Sequence, residues 1–364
     1  MKKKLALSII SLDECFTQKG FSGGGHKVSK RLIEGLVESG KFDIDIFCQK
    51  SCVENLEGVN SITVLNKKNF AKELKDKIES EKYDYILSSD ILLPFANNII
   101  HSNSSKFKSK NSKGWLHRQI LLMFNSKKIK KQERNLPKNK AIFTVSESLK
   151  RDFVDNFNLD EAKVFGAIPA VDNYSDFVLP EKKSEFVLGS IVGGGLNKGG
   201  QLLLMAMVNL PQNVKARVIF PKYKKSFFFR SLVNLLGLKN RVEVLPRQAD
   251  MDSYYDSIDC YVLPSLNEAF GLVVTEAASH SKPSIVSSTT GVRELIKDGE
   301  NGFVFAREKT PTKNLNKKLK EVSDMYFNEW EKFAEISKKA HSTSQNLDWK
   351  AFTDTIINNM IEEK

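Results

Sequence analysis

Apolar and polar positions along this chain follow two periods in turn. Short runs that are apolar almost throughout are separated by segments in which apolar residues return every three or four positions. That is the pattern of buried strands and amphipathic helices. Leu5–Leu12 reads as a strand, Lys27–Ser39 as a helix, Asp43–Cys48 as a strand, Phe70–Glu79 as a helix and Tyr83–Ser88 as a strand. In the first helix Val28, Leu32 and Leu36 make one apolar stripe, and Gly40 ends it. The pattern resumes with a strand at Lys140–Val145. Ser146 is placed to cap a helix through Val154, with Glu147 and Glu161 at surface positions, and Val164–Ile168 is a further strand.

Pro169–Lys183 carries two prolines, two aspartates and little periodicity, and reads as a linker. A second alternating run follows it. Strand Phe186–Val192, helix Gly200–Val208, strand Ala216–Phe220, helix Phe227–Leu236 and strand Val242–Leu245 come first. Helix Asp252–Ile258, strand Tyr261–Leu263, a helix from Phe270 to Ala278, and short strands Ser284–Ser287 and Gly302–Phe305 complete it. Asn314–Ala340 is helical and charged. Trp349, Phe352, Ile356, Ile357 and Met360 then give a terminal helix an apolar face able to pack back on the first half and clasp the two. Apolar strands alternating with helices predict parallel sheets covered on both sides. The expected class is α/β, with two doubly wound Rossmann-like domains. Residues 1–176, completed by a helix at about 345–364, form one, and residues 177–344 the other.

At 364 residues, 41% hydrophobic and 27% charged, the chain has room for two cores and is unlike disordered or fibrous sequences. Cys15, Cys48, Cys52 and Cys260 form no metal-ligand spacing, which predicts reduced structural thiols in a cytoplasmic protein. Lys2–Lys4 followed by Leu5–Leu12 is too short and too polar for a secretory signal and reads as the first strand. No stretch reaches the roughly 18 apolar residues needed to cross a bilayer.

Charge adds something the periodicity does not. The formal net charge is +12, and between His101 and Lys140 twelve Lys or Arg residues face one acid, Glu133. Nearly the whole excess can therefore come from residues 101–140, a patch suited to phosphate-bearing lipid, a polyanionic polymer or nucleic acid. No nucleic-acid recognition motif accompanies it, so nucleic acid is not the expected partner. Gly114–Phe124, apolar and led by an aromatic, is either a helix at the inner face of a membrane or one buried in the first domain.

In doubly wound domains ligands bind at the carboxyl ends of strands, beside helix N-termini. Three segments of the second half meet that condition. Val192-Gly193-Gly194-Gly195-Leu196-Asn197-Lys198-Gly199-Gly200 lets the backbone approach a phosphate, and Lys198 can reach it as a point charge. The stretch fits neither the dinucleotide fingerprint nor the Walker pattern. Pro264–Ala277 places Glu268 at a loop-to-helix junction. Glu276 follows a little over two helical turns later, about 12 Å of rise, where it can face the same side. One carboxylate can then meet a hexose and the other a ribose. Thr289–Leu295 is the third, a loop and helix start beside a nucleotide, and Lys297–Gly302 reads as a structural turn.

These residues give the chain a resemblance to the large retaining glycosyltransferase family 4, whose fold is GT-B, two Rossmann-like domains facing across a cleft. Glu268 and Glu276, seven residues between them and Phe270-Gly271 after the first, fit its double-glutamate signature. Gly291–Gly302, Gly23-Gly24-Gly25-His26-Lys27 and Val145-Ser146-Glu147 before Pro169-Ala170-Val171-Asp172 match in the right order, over roughly residues 5 to 305. The resemblance implies that Glu268 contacts donor-sugar hydroxyls, Glu276 holds the ribose and Lys198 the diphosphate. Gly193, Gly194, Gly195, Asn267, Ala269, Phe270, Gly271 and Leu272 would complete the donor site. Gly24 and Gly25 would let the first domain approach the phosphates. His101 matches the family histidine that faces the donor sugar, with His117 as a weaker rival. The family's Arg ahead of the Lys is missing. Backbone N–H groups or Arg247 would replace it, or nothing does.

The activity implied is retaining transfer of a hexose, from a UDP-sugar by default, to a glycan or lipid-linked acceptor in cell-surface polysaccharide synthesis. Preorganised charge would stabilise the departing diphosphate, and front-face transfer would pass the acceptor proton to the leaving phosphate. No cofactor and no divalent metal are expected. Asp43-Ile44-Asp45 falls in a strand and Asp250-Met251-Asp252 at a helix start, both structural positions. The alternatives are a sugar-nucleotide epimerase of the same fold or a non-catalytic nucleotide- or glycan-binding protein.

Overall fold

Leu5, Ala6, Leu7, Ser8 and Ile9 are all buried, so this run has sheet neighbours on both edges and helices over both faces. It forms the strand β1 (Lys3–Ser11) at the centre of a seven-stranded sheet with β2 (Phe42–Lys50), β3 (Ser61–Val64), β4 (Tyr85–Ser89), β5 (Asn97–Ile100), β6 (Ile142–Thr144) and β7 (Val164–Gly166). The order is β3-β2-β1-β4-β5-β6-β7, parallel throughout. The computed structural model describes residues 2–16, 23–89, 93–102, 115–172, 176–193 and 196–362. The chain divides into two compact units, Met1–Pro169 with Asp348–Lys364, and Ala170–Leu347.

The helix Gly24–Glu38 buries Val28, Leu32 and Leu36 as its stripe requires, but begins earlier than its periodicity shows, so Gly24 and Gly25 are helical. The terminal helix Trp349–Ile361 packs on it, burying Phe352, Ile356, Ile357 and Met360, and so completes the first unit. Ser146 caps the helix Glu147–Phe157, its side chain accepting from the Leu149 N–H at 3.1 Å. The 101–140 region contributes one long helix, Trp115–Asn135. Ile129 is buried on it, whereas Lys127, Lys128, Lys130, Lys131 and Arg134 are exposed, as are Met123 and Phe124. The side chains of residues 115–122, His117 among them, lie outside those described.

The second unit holds β8 (Phe186–Ile191), β9 (Val214–Ile219), β10 (Val242–Leu245), β11 (Cys260–Leu263), β12 (Ser284–Ser287) and β13 (Phe303–Phe305). Their order, β10-β9-β8-β11-β12-β13, is again parallel throughout. Both sheets therefore reverse direction of build beside their first strand, at β1/β4 and at β8/β11, and such switch points open crevices at the strands' carboxyl ends. Instead of one charged helix, two follow: Pro311–Asn328 and Trp330–Gln345. Tyr326, Trp330 and Phe333 from this pair form an aromatic cluster with Phe186 of β8.

Candidate functional site

At the second switch point the loop after β8 meets the loop after β11. Lys198, at the end of the 3₁₀ turn Leu196–Lys198, places its ammonium 2.6 Å from the Glu268 carboxylate. Two contacts hold the loops together. The Leu266 N–H donates to the Asn197 carbonyl at 2.7 Å, and Gly199, at φ +68°, lies so close to the Pro264 carbonyl that a β-carbon would stand 2.1 Å from it. Only glycine fits there, in both respects. Gly193 lies in open space by comparison, and Gly194 and Gly195 lie outside the described residues.

The structure corrects the spacing argument for the two glutamates. The helix begins at Leu272, not Phe270, after Gly271 at φ +119°, so Glu268 is not helical. It lies in an extended segment bridged to Thr290, and its carbonyl accepts from the Gly291 N–H at 2.9 Å. The reason is the Gly271 turn, whose left-handed backbone ends the loop before the helix starts. Glu276 stands in the second turn of that helix, Leu272–Ser279. Its carboxylate accepts from the Tyr255 hydroxyl at 2.7 Å. Burial first, and then the neighbouring Glu276 charge, push the Tyr255 phenol well above its ordinary value, so it stays protonated and donates.

Ala269, Phe270 and Leu272 are buried, so their side chains serve the core and only their backbone can face a ligand. Asn267 is half-buried, its side-chain oxygen enclosed without a hydrogen-bond partner among the described residues. Ahead of the Val274 N–H, which donates to the Gly271 carbonyl at 2.9 Å, the Leu272 and Val273 N–H groups lie at the positive end of the helix Leu272–Ser279. The segment expected to start a helix at Thr289–Leu295 instead forms the 3₁₀ turn Gly291–Leu295, and the Val292 N–H donates to the Phe270 carbonyl at 2.9 Å. Arg247 is exposed beyond β10, with β9 between it and β8, roughly 10 Å across at strand spacing. The structure joins Lys198 and Glu268.

In the first unit His101 follows β5, its Nε2 2.9 Å from the Ser89 hydroxyl, which lies 2.8 Å from that of Ser29. The two buried serines fix the ring's orientation. His101 borders a cavity of about 580 Å³ together with Gly25, Gln49, Lys128, Lys131 and Gln132. Tyr255 and Ser89 carry no sequence signal, and the two lysines are marked only as part of the basic 101–140 patch. Tyr255 is one apolar-facing helix residue among many, and the lysines belong to a diffuse basic run. Among the described residues no group of His, Cys, Asp or Glu could hold a metal ion. Asp45 bonds Ser61 and Tyr83, and Asp250 caps the helix Met251–Asp256.

A parallel sheet of this order, with Lys198 and the Glu268 carboxylate paired at its switch point, defines a Rossmann-like domain. Residues 174–341, nearly the whole second unit, match the family model Glycosyl transferases group 1. An uncharacterized glycosyltransferase of Haemophilus influenzae is 30% identical over 118 residues, 32% of this chain and 32% of that protein. One of Methanocaldococcus jannaschii is 25% identical over 311 residues, 75% of this chain and 79% of that protein. The chain thus spans about a third of the length of the first relative and four-fifths of the second. WaaG, a glycosyltransferase involved in lipopolysaccharide biosynthesis, superposes with a TM-score of 0.74 at 15% identity, covering 98% of this chain and 99% of that one. Anabaena HepE in complex with UDP-glucose gives 0.71 at 16% identity, over 99% and 100%. At these identities the likeness establishes the fold, GT-B. No described helix is long and apolar enough to cross a membrane.

Proposed function

We propose that the chain is a metal-independent, retaining glycosyltransferase that takes a hexose from a nucleotide sugar, UDP-linked by preference. The observation that carries this reading is the Lys198–Glu268 pair, 2.6 Å apart at the switch point of the family-matched unit. Lys198 is half exposed, and its ammonium is free to move from Glu268 to a donor diphosphate. Glu268 is thereby released to sugar hydroxyls. The open end of the helix Leu272–Ser279 and Lys198 then stabilise charge on the departing diphosphate, a preorganised effect worth ~2–4 kcal/mol per donor in related chemistry. Glu276, held by Tyr255, takes the ribose, and the leaving phosphate accepts the acceptor's proton. The UDP preference draws on HepE's complex with UDP-glucose.

The acceptor is a glycan or lipid-linked glycan of cell-surface polysaccharide synthesis, a reading supported by WaaG's role. The cavity beside His101, with Lys128 and Lys131 on its wall, favours an acceptor carrying phosphate or carboxylate groups. The exposed lysines of the helix Trp115–Asn135, with Met123 and Phe124, favour work at the cytoplasmic face of an anionic membrane.

The test is equilibrium binding of UDP, GDP and ADP with and without Mg²⁺, followed by donor turnover. One nucleotide should bind selectively without metal, and Glu268→Gln should keep that binding while losing nearly all transfer. Turnover undiminished in Glu268→Gln would refute the assigned role. Nucleotide binding with no turnover by the parent chain on any acceptor would favour a binding protein.

A further inference from the structure

A second surface of the donor-side unit has no part in the site described. Between Phe220 and Glu243 the sequence holds no acid, while Lys222, Lys224, Lys225, Arg230 and Lys239 are all exposed. Among the described residues none of these five forms an ion pair. In the helix Phe227–Leu235 the inward face is satisfied by Phe229 and Val233, which are buried. The other face is also apolar: Phe227 is 70% exposed, Phe228 83% and Leu235 82%. The two phenylalanine rings meet edge to face at 5.7 Å, so they project together, and Arg230 covers the Tyr223 ring at 5.4 Å.

We infer that this helix is a docking surface for an anionic lipid bilayer. A soluble face gains nothing from two adjacent phenylalanines in water, and exposed apolar groups gathered in this way mark an interaction surface. The shape selects the partner. The apolar side chains protrude rather than line a groove, and cations stand before, within and after them. A fluid interface takes up protruding rings into its acyl boundary while its anionic headgroups attract the surrounding ammonium and guanidinium groups. This surface is separate from the basic helix Trp115–Asn135 of the first unit, so the chain carries an apolar, basic element on each unit.

The test is co-sedimentation of the full chain with vesicles of phosphatidylcholine alone and of phosphatidylcholine with phosphatidylglycerol. Three forms are compared: the parent, Phe227→Ser/Phe228→Ser, and Met123→Ser/Phe124→Ser. The parent should partition onto anionic vesicles and be released by salt. The Phe227→Ser/Phe228→Ser variant should partition about tenfold less. Its thermal unfolding and nucleotide binding should be unchanged, because both rings are exposed and outside the donor site. Unchanged partitioning of that variant, with all loss in Met123→Ser/Phe124→Ser, overturns the inference. So does a parent that ignores anionic vesicles, or one whose phenylalanine pair is needed for binding a single-stranded RNA probe and not for vesicles.

Discussion

Gly199→Ala tests whether the two loops of the proposed donor site depend on their contact at Pro264. The substitution does two things at once. It puts an L-residue at φ +68°, which costs about 1–2 kcal/mol. It also drives a β-carbon to 2.1 Å from a backbone carbonyl that cannot rotate away, an overpacking of about 1–3 kcal/mol. Gly237 separates the two terms, since it has φ +67° and no heavy atom within 4 Å of a built β-carbon. Gly237→Ala should therefore lose only the conformational part, and Gly199→Ala the sum, about 2–5 kcal/mol. Urea denaturation followed by circular dichroism measures both. Relief of the clash must move the Asn197–Gly199 turn away from Pro264, stretching the Leu266–Asn197 hydrogen bond and the Lys198–Glu268 pair. Nucleotide affinity should fall at least about tenfold in Gly199→Ala, since small misplacements of charged groups are that costly, and should not change in Gly237→Ala. If Gly199→Ala is no less stable than Gly237→Ala and binds nucleotide as well as the parent, the coupling of the loops is wrong.

Two further outcomes follow from the same geometry. Tyr255→Phe removes the hydroxyl that orients Glu276; a hydrogen bond to a charged group is worth about 1.5–3 kcal/mol, so nucleoside diphosphate should bind roughly ten- to a hundredfold more weakly. Calorimetry with pyrophosphate should show no such loss, and an equal loss for both would remove Glu276 from the ribose. The Ser253 side chain and N–H hold the Asp250 carboxyl below its ordinary range. A depressed carboxyl contributes stability that is complete above its unfolded value, about 3.9, and is lost as pH falls through the folded one. Asp250→Asn keeps a cap but removes this titrating contribution, so it should be slightly less stable than the parent at neutral pH and converge with it below about pH 4, as read by thermal unfolding across pH.

Strands buried on both faces were the most legible elements, because β1, β8 and β11 carry mostly apolar runs. Two strands escaped that reading for opposite reasons. β3 is an exposed edge with no apolar run. β5 begins with two buried asparagines, and the Asn98 amide is satisfied by the Leu93 and Ala96 carbonyls, so burial there carries no hydrophobic signal. Lys198 and Glu268 were readable because their chemistry is unusual at the end of a buried strand. Their pairing was not, since residues 70 positions apart meet only through the switch in strand order. The Glu268-to-Glu276 spacing misled because a count of helical turns assumes a helix that Gly271 delays.

The return of the chain to the first unit also orders events during synthesis. The second unit occupies one unbroken stretch, Ala170–Leu347, and can close its core while the ribosome is still adding residues. The first unit starts earlier and finishes later, since the helix Gly24–Glu38 lacks its cover until Trp349–Ile361 emerges. A premature stop anywhere near residue 345 would spare the second unit and strip the first, sending one intact half to quality control beside an unfinished one.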